Sequence, residues 1–339
     1  MRAAVFEKIG VPLKIEELPD PQMGESELLI RVKSCGVCGS DIHATSEPPG
    51  LPKGTILGHE FAGEVVKVGP AAVGNWKEGD RVCALPYIGC GKCEACLSGS
   101  GHRCKKIKAT GFGQVGGAYS EYARVGSFEA LRLPEGVSFQ EGALVEPLSV
   151  GLHAVNKSRM ERGENVLIIG AGPIGLSATL WARFFGARHV VVSEKNPKRL
   201  ALAEELGATA TIDASKGSVI SQFEKVAGRA PDIIFECVGA PGMLQQCVAM
   251  APAEGRIVVL GVHSKPDQLF PIMAILKEVN IQFILGYTRQ DFEFTLDMMG
   301  ARRIDARAMI TESVDLDRLP EMFELLRKPT DQCKVLIEP

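Results

Sequence analysis

The sequence lacks a charge excess of either sign: 38 Lys and Arg stand against 41 Asp and Glu, a formal net charge of -3. That balance supplies no electrostatic footprint for nucleic acid or an anionic membrane surface, and neither is expected as a partner. Also missing is any apolar run approaching the ~20 residues that span a bilayer, which excludes a helical membrane protein. The first residues, Met1-Arg2-Ala3-Ala4-Val5-Phe6-Glu7-Lys8, meet charge too early for the core of a secretory signal. Long internal repeats and low-complexity segments are absent, which sets aside a repeat architecture. A cytoplasmic protein is the expectation.

What is present points to two domains. A chain of 339 residues exceeds the usual size of a single hydrophobic core. Residues 1 to about 150 carry short alternating or branched runs separated by glycine and proline: Ala3 to Phe6, Leu28 to Val32, Glu64 to Val68, and Tyr119 to Val125. This reads as a small barrel-like β domain with long loops. From about residue 165 strands and helices alternate. Six strand-like runs, from Val166-Leu167-Ile168-Ile169 to Ile281-Gln282-Phe283-Ile284-Leu285, with helical crossovers, predict an α/β fold: a doubly wound parallel sheet of Rossmann topology. After Gly286 two helices and a closing strand, Lys334-Val335-Leu336-Ile337, are expected to return to the first domain.

Gly170-Ala171-Gly172-Pro173-Ile174-Gly175 fits G-x-G-x-x-G directly after a strand-like run and at the opening of a helix-like one, the context a dinucleotide site requires. Gly170 permits the tight turn, Gly172 lets backbone approach a pyrophosphate, and Gly175 allows helix and strand to pack closely. Glu194, nineteen residues after Gly175, can accept hydrogen bonds from both adenosine ribose hydroxyls and would repel a 2′-phosphate. NAD is therefore favoured over NADP. Lys195, Lys198 and Arg199 follow at once; the first two read as a solvated helix face, while Arg199 can stack on adenine.

Ten cysteines in a reducing compartment suggest metal or catalysis rather than a disulfide framework. Cys90, Cys93, Cys96 and Cys104 give C-x2-C-x2-C-x7-C, four thiolates suited to a closed, tetrahedral, structural zinc site. An iron–sulfur cluster is the rival, but the bacterial ferredoxin run has a three-residue final gap followed by proline. His102 nearby reads as a surface residue. Cys83, Cys237, Cys247 and Cys333 are isolated and read as small buried apolar residues.

Three further segments mix soft, borderline and hard metal donors: Cys38-Gly39-Ser40-Asp41-Ile42-His43, Gly58-His59-Glu60, and Leu144-Val145-Glu146-Pro147-Leu148-Ser149. Singly, each has a plain alternative. Cys38 is equally a buried thiol, His59 a hydrogen-bonded core residue, Glu146 an acid at a helix terminus. Together, and in this order along nearly the whole chain, the motifs resemble a zinc-containing member of the medium-chain dehydrogenase/reductase superfamily, most similar to the branch that holds sorbitol, butanediol and threonine dehydrogenases.

The resemblance implies a GroES-like β-rich catalytic domain (1–149 and 287–339) with a structural zinc lobe at about 88–106, and a Rossmann NAD-binding domain (150–286). It implies one catalytic and one structural zinc per chain, with Cys38 and His59 on the catalytic ion. Glu60 and Glu146 both stay open as the remaining ligand, since Glu146 replaces a cysteine used by other members. Cys35 belongs to the motif but is not expected to ligate. The implied reaction is hydride transfer between a secondary alcohol and NAD, with zinc polarising the alcohol oxygen. Ser40 is expected to take the proton first and His43 to pass it to solvent, while Asp41 orients His59. A zinc-independent enoyl or quinone reductase, which has no need of Cys38, His59 or the four-cysteine lobe, and a non-catalytic NAD- or zinc-binding protein are the competing readings. The apolar last strand of the Rossmann sheet leads to the expectation of a homodimer or homotetramer.

Overall fold

The computed structural model describes residues 1–339 and divides into two compact units, one made of Met1–Glu146, Tyr287–Arg303 and Ile310–Pro339, the other of Pro147–Gly286 and Ile304–Met309. No helix is long and apolar enough to cross a membrane.

In the first unit the longest strands are Glu27–Gly36 and Glu60–Val68, which pair antiparallel. Their alternate residues Leu28, Ile30, Val32 and Val65 are buried and build one core with Phe6, Phe61 and Phe323, so period-two patterning places one face inward. A seven-stranded sheet runs in the order Ala130–Arg132, Arg81–Ala84, Glu60–Val68, Glu27–Gly36, Lys334–Ile337, Ile310–Val314, with Tyr122–Gly126 also pairing Glu27–Gly36. The strand Lys334–Ile337 thus brings the distant end of the chain onto Glu27–Gly36, with Ile337 opposite Cys35. Register breaks between Leu29 and Ile30 and between Val32 and Ser34 bend the long pair.

In the second unit six parallel strands follow the order third, second, first, fourth, fifth, sixth: Ala210–Asp213, His189–Glu194, Asn165–Ile169, Ile233–Glu236, Arg256–Val259, Asn280–Phe283. The first strand, Asn165–Ile169, is buried at every position because helices cover both faces of such a sheet, which is why its sequence is uniformly apolar rather than alternating. Strand order reverses between the first and fourth strands, where Val166 lies opposite Val190 on one side and Ile233 on the other. Ligands bind at such a switch point, beyond the carboxyl ends of the strands.

Candidate functional site

At that switch point the chain leaves Ile169 through Gly170, whose φ of +96° is a conformation that suits glycine, and enters the helix Pro173–Phe184. Gly172 is the N-cap and Pro173, at N1, lacks an N–H that the first turn leaves unused; Ile174 follows in the same turn. A Cβ on Gly175 would run into the Gly170 carbonyl, so glycine there sets how closely the helix approaches the turn. The Glu194 carboxylate at the end of the second strand accepts the Ala171 N–H at 2.9 Å through Oε2 and the Lys195 and Asn196 N–H groups at 2.6 and 3.1 Å through Oε1. It therefore ties the glycine turn to the neighbouring strand end. Gly170, Gly172, Glu194, Lys195 and Arg199 line a cavity of about 760 Å³, a volume that suits a small-molecule or cofactor site. Lys198 is exposed and does not line it. Lys195, also exposed, stands on its rim rather than on a purely solvated face.

Two groups of metal donors are assembled in the first unit. The sulfurs of Cys90, Cys93, Cys96 and Cys104 all lie within 4.8 Å of one another, Cys93 to Cys96 at 3.5 Å and Cys90 to Cys96 at 4.0 Å. Disulfide sulfurs would be about 2 Å apart; a tetrahedral ion with Zn–S bonds of about 2.3 Å needs about 3.8 Å. The four thiols fit zinc. Backbone N–H groups of Lys92 and Cys93 draw the Cys90 thiol down to about 6, whereas burial pushes Cys96 up to about 12. The lobe has little apolar material and is moored at its edges: Gly89 N–H donates to Glu129 Oε1 at 3.0 Å and Arg289 N–H to the Gly99 carbonyl at 2.9 Å. His102 is half-buried rather than superficial, because the short turn Gly101–Arg103 folds it against the lobe, and it lies outside the ligand group.

The second donor group is Cys38, His59 and Glu60, again within 4.8 Å. Cys38 is the N-cap of the short helix Gly39–Ala44, and the Gly58-His59-Glu60 segment leads into the strand Glu60–Val68. Gly58 has φ of +95°, and a Cβ there would strike the Tyr119 ring. Asp41, fully buried, accepts His59 Nδ1–H through Oδ1 at 3.1 Å, and the Cys38 N–H at 3.2 Å and the Tyr119 hydroxyl at 2.6 Å through Oδ2. With Nδ1 so occupied, Nε2 is the ring nitrogen that faces the donor group. Burial alone would depress the His59 imidazole; the Asp41 carboxylate and Cys38 sulfur outweigh it and hold the ring well above its ordinary value. The Ser40 hydroxyl lies 3.2 Å from Cys38 Sγ and 3.4 Å from His59 Nε2. His43 is three residues further on the same helix and exposed. Soft sulfur, imidazole and carboxylate together, with a hydroxyl at their side, fit a zinc ion.

Both oxygens of Glu60 are also held by Lys334 Nζ, at 2.7 and 2.6 Å, and the two side chains are each only 1 % exposed. Gly36 makes room for this pair, since a Cβ there would collide with Glu60. Glu146 lies outside the donor group, in the interior of the helix Phe139–Ser158 rather than at a terminus. It is buried, and desolvation with the neighbouring Glu60 charge pushes its carboxyl up to about 7 against the opposing effect of His59. The buried Tyr287 hydroxyl faces it. Cys35 is fully buried, and its thiol points to the Gly36 carbonyl at 3.7 Å. Cys83, Cys247 and Cys333 are buried in their cores; Cys237 is only half-buried because it lines the dinucleotide cavity.

Sequence reading missed Lys334, Tyr119 and Tyr287. Each reaches the site from a strand or loop far along the chain and carries no motif of its own.

Known proteins resemble this chain over nearly its whole length. Residues 24–135 match the alcohol dehydrogenase GroES-like domain and residues 173–301 the zinc-binding dehydrogenase domain. The chain is 32 % identical to the sorbitol dehydrogenase of Bacillus subtilis (strain 168) over 346 residues, covering 100 % of this chain and 97 % of the relative. It is also 32 % identical to the (R,R)-butanediol dehydrogenase of the same organism, covering 96 % of each. A zinc-binding dehydrogenase from Sinorhizobium meliloti 1021 bound to NADP superposes with a TM-score of 0.89 at 30 % identity (100 % and 99 % covered). A short chain alcohol dehydrogenase from Escherichia coli CFT073 complexed with NADH does so with a TM-score of 0.90 at 28 % identity (100 % and 99 % covered). With a metal-donor set, a second four-thiol site and a dinucleotide fold all in place, the chain belongs to the zinc-containing medium-chain dehydrogenase/reductase family of alcohol dehydrogenases.

Proposed function

We propose that this protein is a zinc-dependent dehydrogenase that moves a hydride between a secondary alcohol, of the diol or polyol class, and NAD, with the ketone as the product of oxidation. The observation that carries the reading is the convergence of Cys38, His59 and Glu60 donor atoms within 4.8 Å, with the Ser40 hydroxyl beside the first two. When bound, zinc supplies Lewis acidity at the alcohol oxygen and the nicotinamide accepts the hydride. The chain's own residues do the rest. Asp41 fixes the His59 tautomer, Ser40 receives the alcohol proton, and His43 hands it to solvent. Glu60 serves as the third protein ligand, its charge balanced by Lys334, and Glu146 stands by as a carboxylate held near neutrality. The four-cysteine lobe holds a structural zinc. A reductase that needs no zinc would have no use for either donor group.

Glu194 favours NAD: it lines the cavity, and its negative charge disfavours a 2′-phosphate. The names of the sorbitol and butanediol dehydrogenase relatives support the diol or polyol class. Ten cysteines with no disulfide among them support a cytoplasmic location. The apolar edge of the second unit supports a homo-oligomer.

The test is a panel of secondary alcohols, diols, polyols and threonine, with NAD and NADP supplied separately and reduced-nicotinamide absorbance followed. A diol or polyol with NAD is expected to give the highest kcat/KM, and Glu194→Ala to reduce the preference for NAD by about tenfold, the effect of roughly 1.4 kcal/mol. Equal use of both coenzymes by wild type and variant would count against the role given to Glu194. Turnover unaffected by Cys38→Ser would remove the metal reading itself.

A further inference from the structure

Glu236 ends the fourth strand of the nucleotide-binding sheet and is wholly buried. A carboxylate in that position is costly unless its oxygens are bonded. One oxygen, Oε1, accepts the N–H groups of Val238 and Gly239, both at 2.8 Å. The other, Oε2, lies 3.0 Å from Nε2 of His263, which comes from the loop after the fifth strand. The Glu236 carbonyl accepts two N–H groups from the start of that loop, Leu260 at 2.8 Å and Gly261 at 3.0 Å. The second loop also returns the contact. Asp267 accepts the Gly242 N–H at 2.6 Å and the Leu244 N–H at 3.4 Å, capping the helix Met243–Met250, whose N-cap is a glycine with no side chain to do so. The His263 ring stands between the two acids, with Nδ1 3.9 Å from Asp267.

The two loops touch through glycines. Gly239 has φ of +72°, and a Cβ there would come within 2.7 Å of the Val262 backbone; a Cβ on Gly261 would come within 2.6 Å of Glu236 Oε2. What this assembly holds in place is Val238. Its backbone N–H is one of the two on Glu236, its side chain is half-exposed, and a Cβ on Gly170 would lie 2.8 Å from its Cγ2. Val238 and Cys237 line the same cavity as Gly170, Gly172 and Glu194.

We propose that Glu236 and His263, with Asp267 behind them, form a clamp that fixes the two loops to each other and so sets the position of the Val238 wall against the glycine turn of the dinucleotide groove. None of the three need touch the coenzyme. They are positioning residues, and the ligand whose affinity they set is the nicotinamide dinucleotide, so the inference rests on the dehydrogenase reading above.

The experiment uses the full-length, zinc-loaded protein. NADH and NADPH binding are titrated separately by fluorescence for wild type, His263→Gln, His263→Leu and Glu236→Gln, beside steady-state kinetics and thermal midpoints. His263→Leu removes a hydrogen bond to a charged group and is expected to raise the Kd of the bound coenzyme at least about tenfold. The loss should fall on coenzyme Kd and KM, with kcat at saturating coenzyme and alcohol KM changed far less. His263→Gln, which keeps a neutral donor, is expected to lie between wild type and His263→Leu. Wild-type affinity in a folded His263→Leu overturns the clamp. So do coenzyme and alcohol constants that worsen in parallel with the thermal midpoint, since a general loss of structure would produce that. If His263→Leu does not fold, the Gln variants decide: a several-fold rise in coenzyme Kd supports the clamp and wild-type affinity overturns it. A wild-type protein that binds neither coenzyme overturns the dehydrogenase reading, and the inference with it.

Discussion

Lys334 meets both oxygens of Glu60 in a place that water does not reach. Burial alone would lower the ammonium's pKa, and the Glu60 carboxylate more than offsets it. Removing one partner from such a pair leaves an uncompensated charge, at a cost of about 3–5 kcal/mol, whereas removing both is often nearly neutral. Lys334→Met is therefore expected to lower the thermal midpoint of the metal-stripped protein markedly, and the double variant Lys334→Met/Glu60→Gln to recover most of the loss. Equal losses in the single and double variants would show that the two charges are not coupled. At this scale the motif residues were legible in sequence because they are neighbours. Cys38, Ser40 and Asp41 share a six-residue window, and His59 adjoins Glu60. Lys334 was not, since it lies 274 positions from Glu60 and reads only as the polar start of a strand. Tyr119, which donates to Asp41 from 78 positions away, was hidden for the same reason.

Elements of the nucleotide unit were read with little error because each signal is local. A strand buried on both faces needs an uninterrupted branched run, and a parallel neighbour requires a helix between. The glycine turn shows how little freedom that arrangement leaves. Gly175→Ala would set a methyl against the Gly170 carbonyl, so helix and turn must separate. The expected result is a loss of stability of about 1–3 kcal/mol, as for other overpacked sites, together with weaker NADH binding, both read by titrating NADH against unfolding in urea. Unchanged values of both would show that the turn has slack. In the first unit the strand Ile310–Val314 escaped notice. Its sequence, Ile-Thr-Glu-Ser-Val, is polar at its centre, and it becomes a strand by pairing in parallel with Lys334–Ile337. The helix Phe139–Ser158 was likewise obscured, as Pro147 within it reads as a break.

For the whole molecule, the sixth strand Asn280–Phe283 pairs on one side only. Around it Phe270, Ile275, Leu276, Phe283 and Leu285 are each more than 60 % exposed, and Ile272 is 57 % exposed. Monomers seldom present so much apolar surface beside an open strand edge. Sedimentation is expected to give a dimer or tetramer, and Leu276→Asp with Leu285→Asp to shift it toward monomer. A monomeric wild type at micromolar concentration would sink the proposal. Sequence suggested the edge but not the exposed helix Pro271–Lys277 beside it, since apolar residues on a helix are ordinarily taken as core.

The strand Lys334–Ile337 lies in the sheet of the first unit, yet the ribosome emits it only after all of residues 147–286. During synthesis the nucleotide unit has its entire sheet outside the exit tunnel while the earlier unit still waits for a missing stave and for the cation that neutralises Glu60. The surroundings of Glu60 are then completed late, and a nascent chain stalled before residue 334 would carry the parallel sheet of the nucleotide unit whole and the Glu60 carboxylate still without its cation.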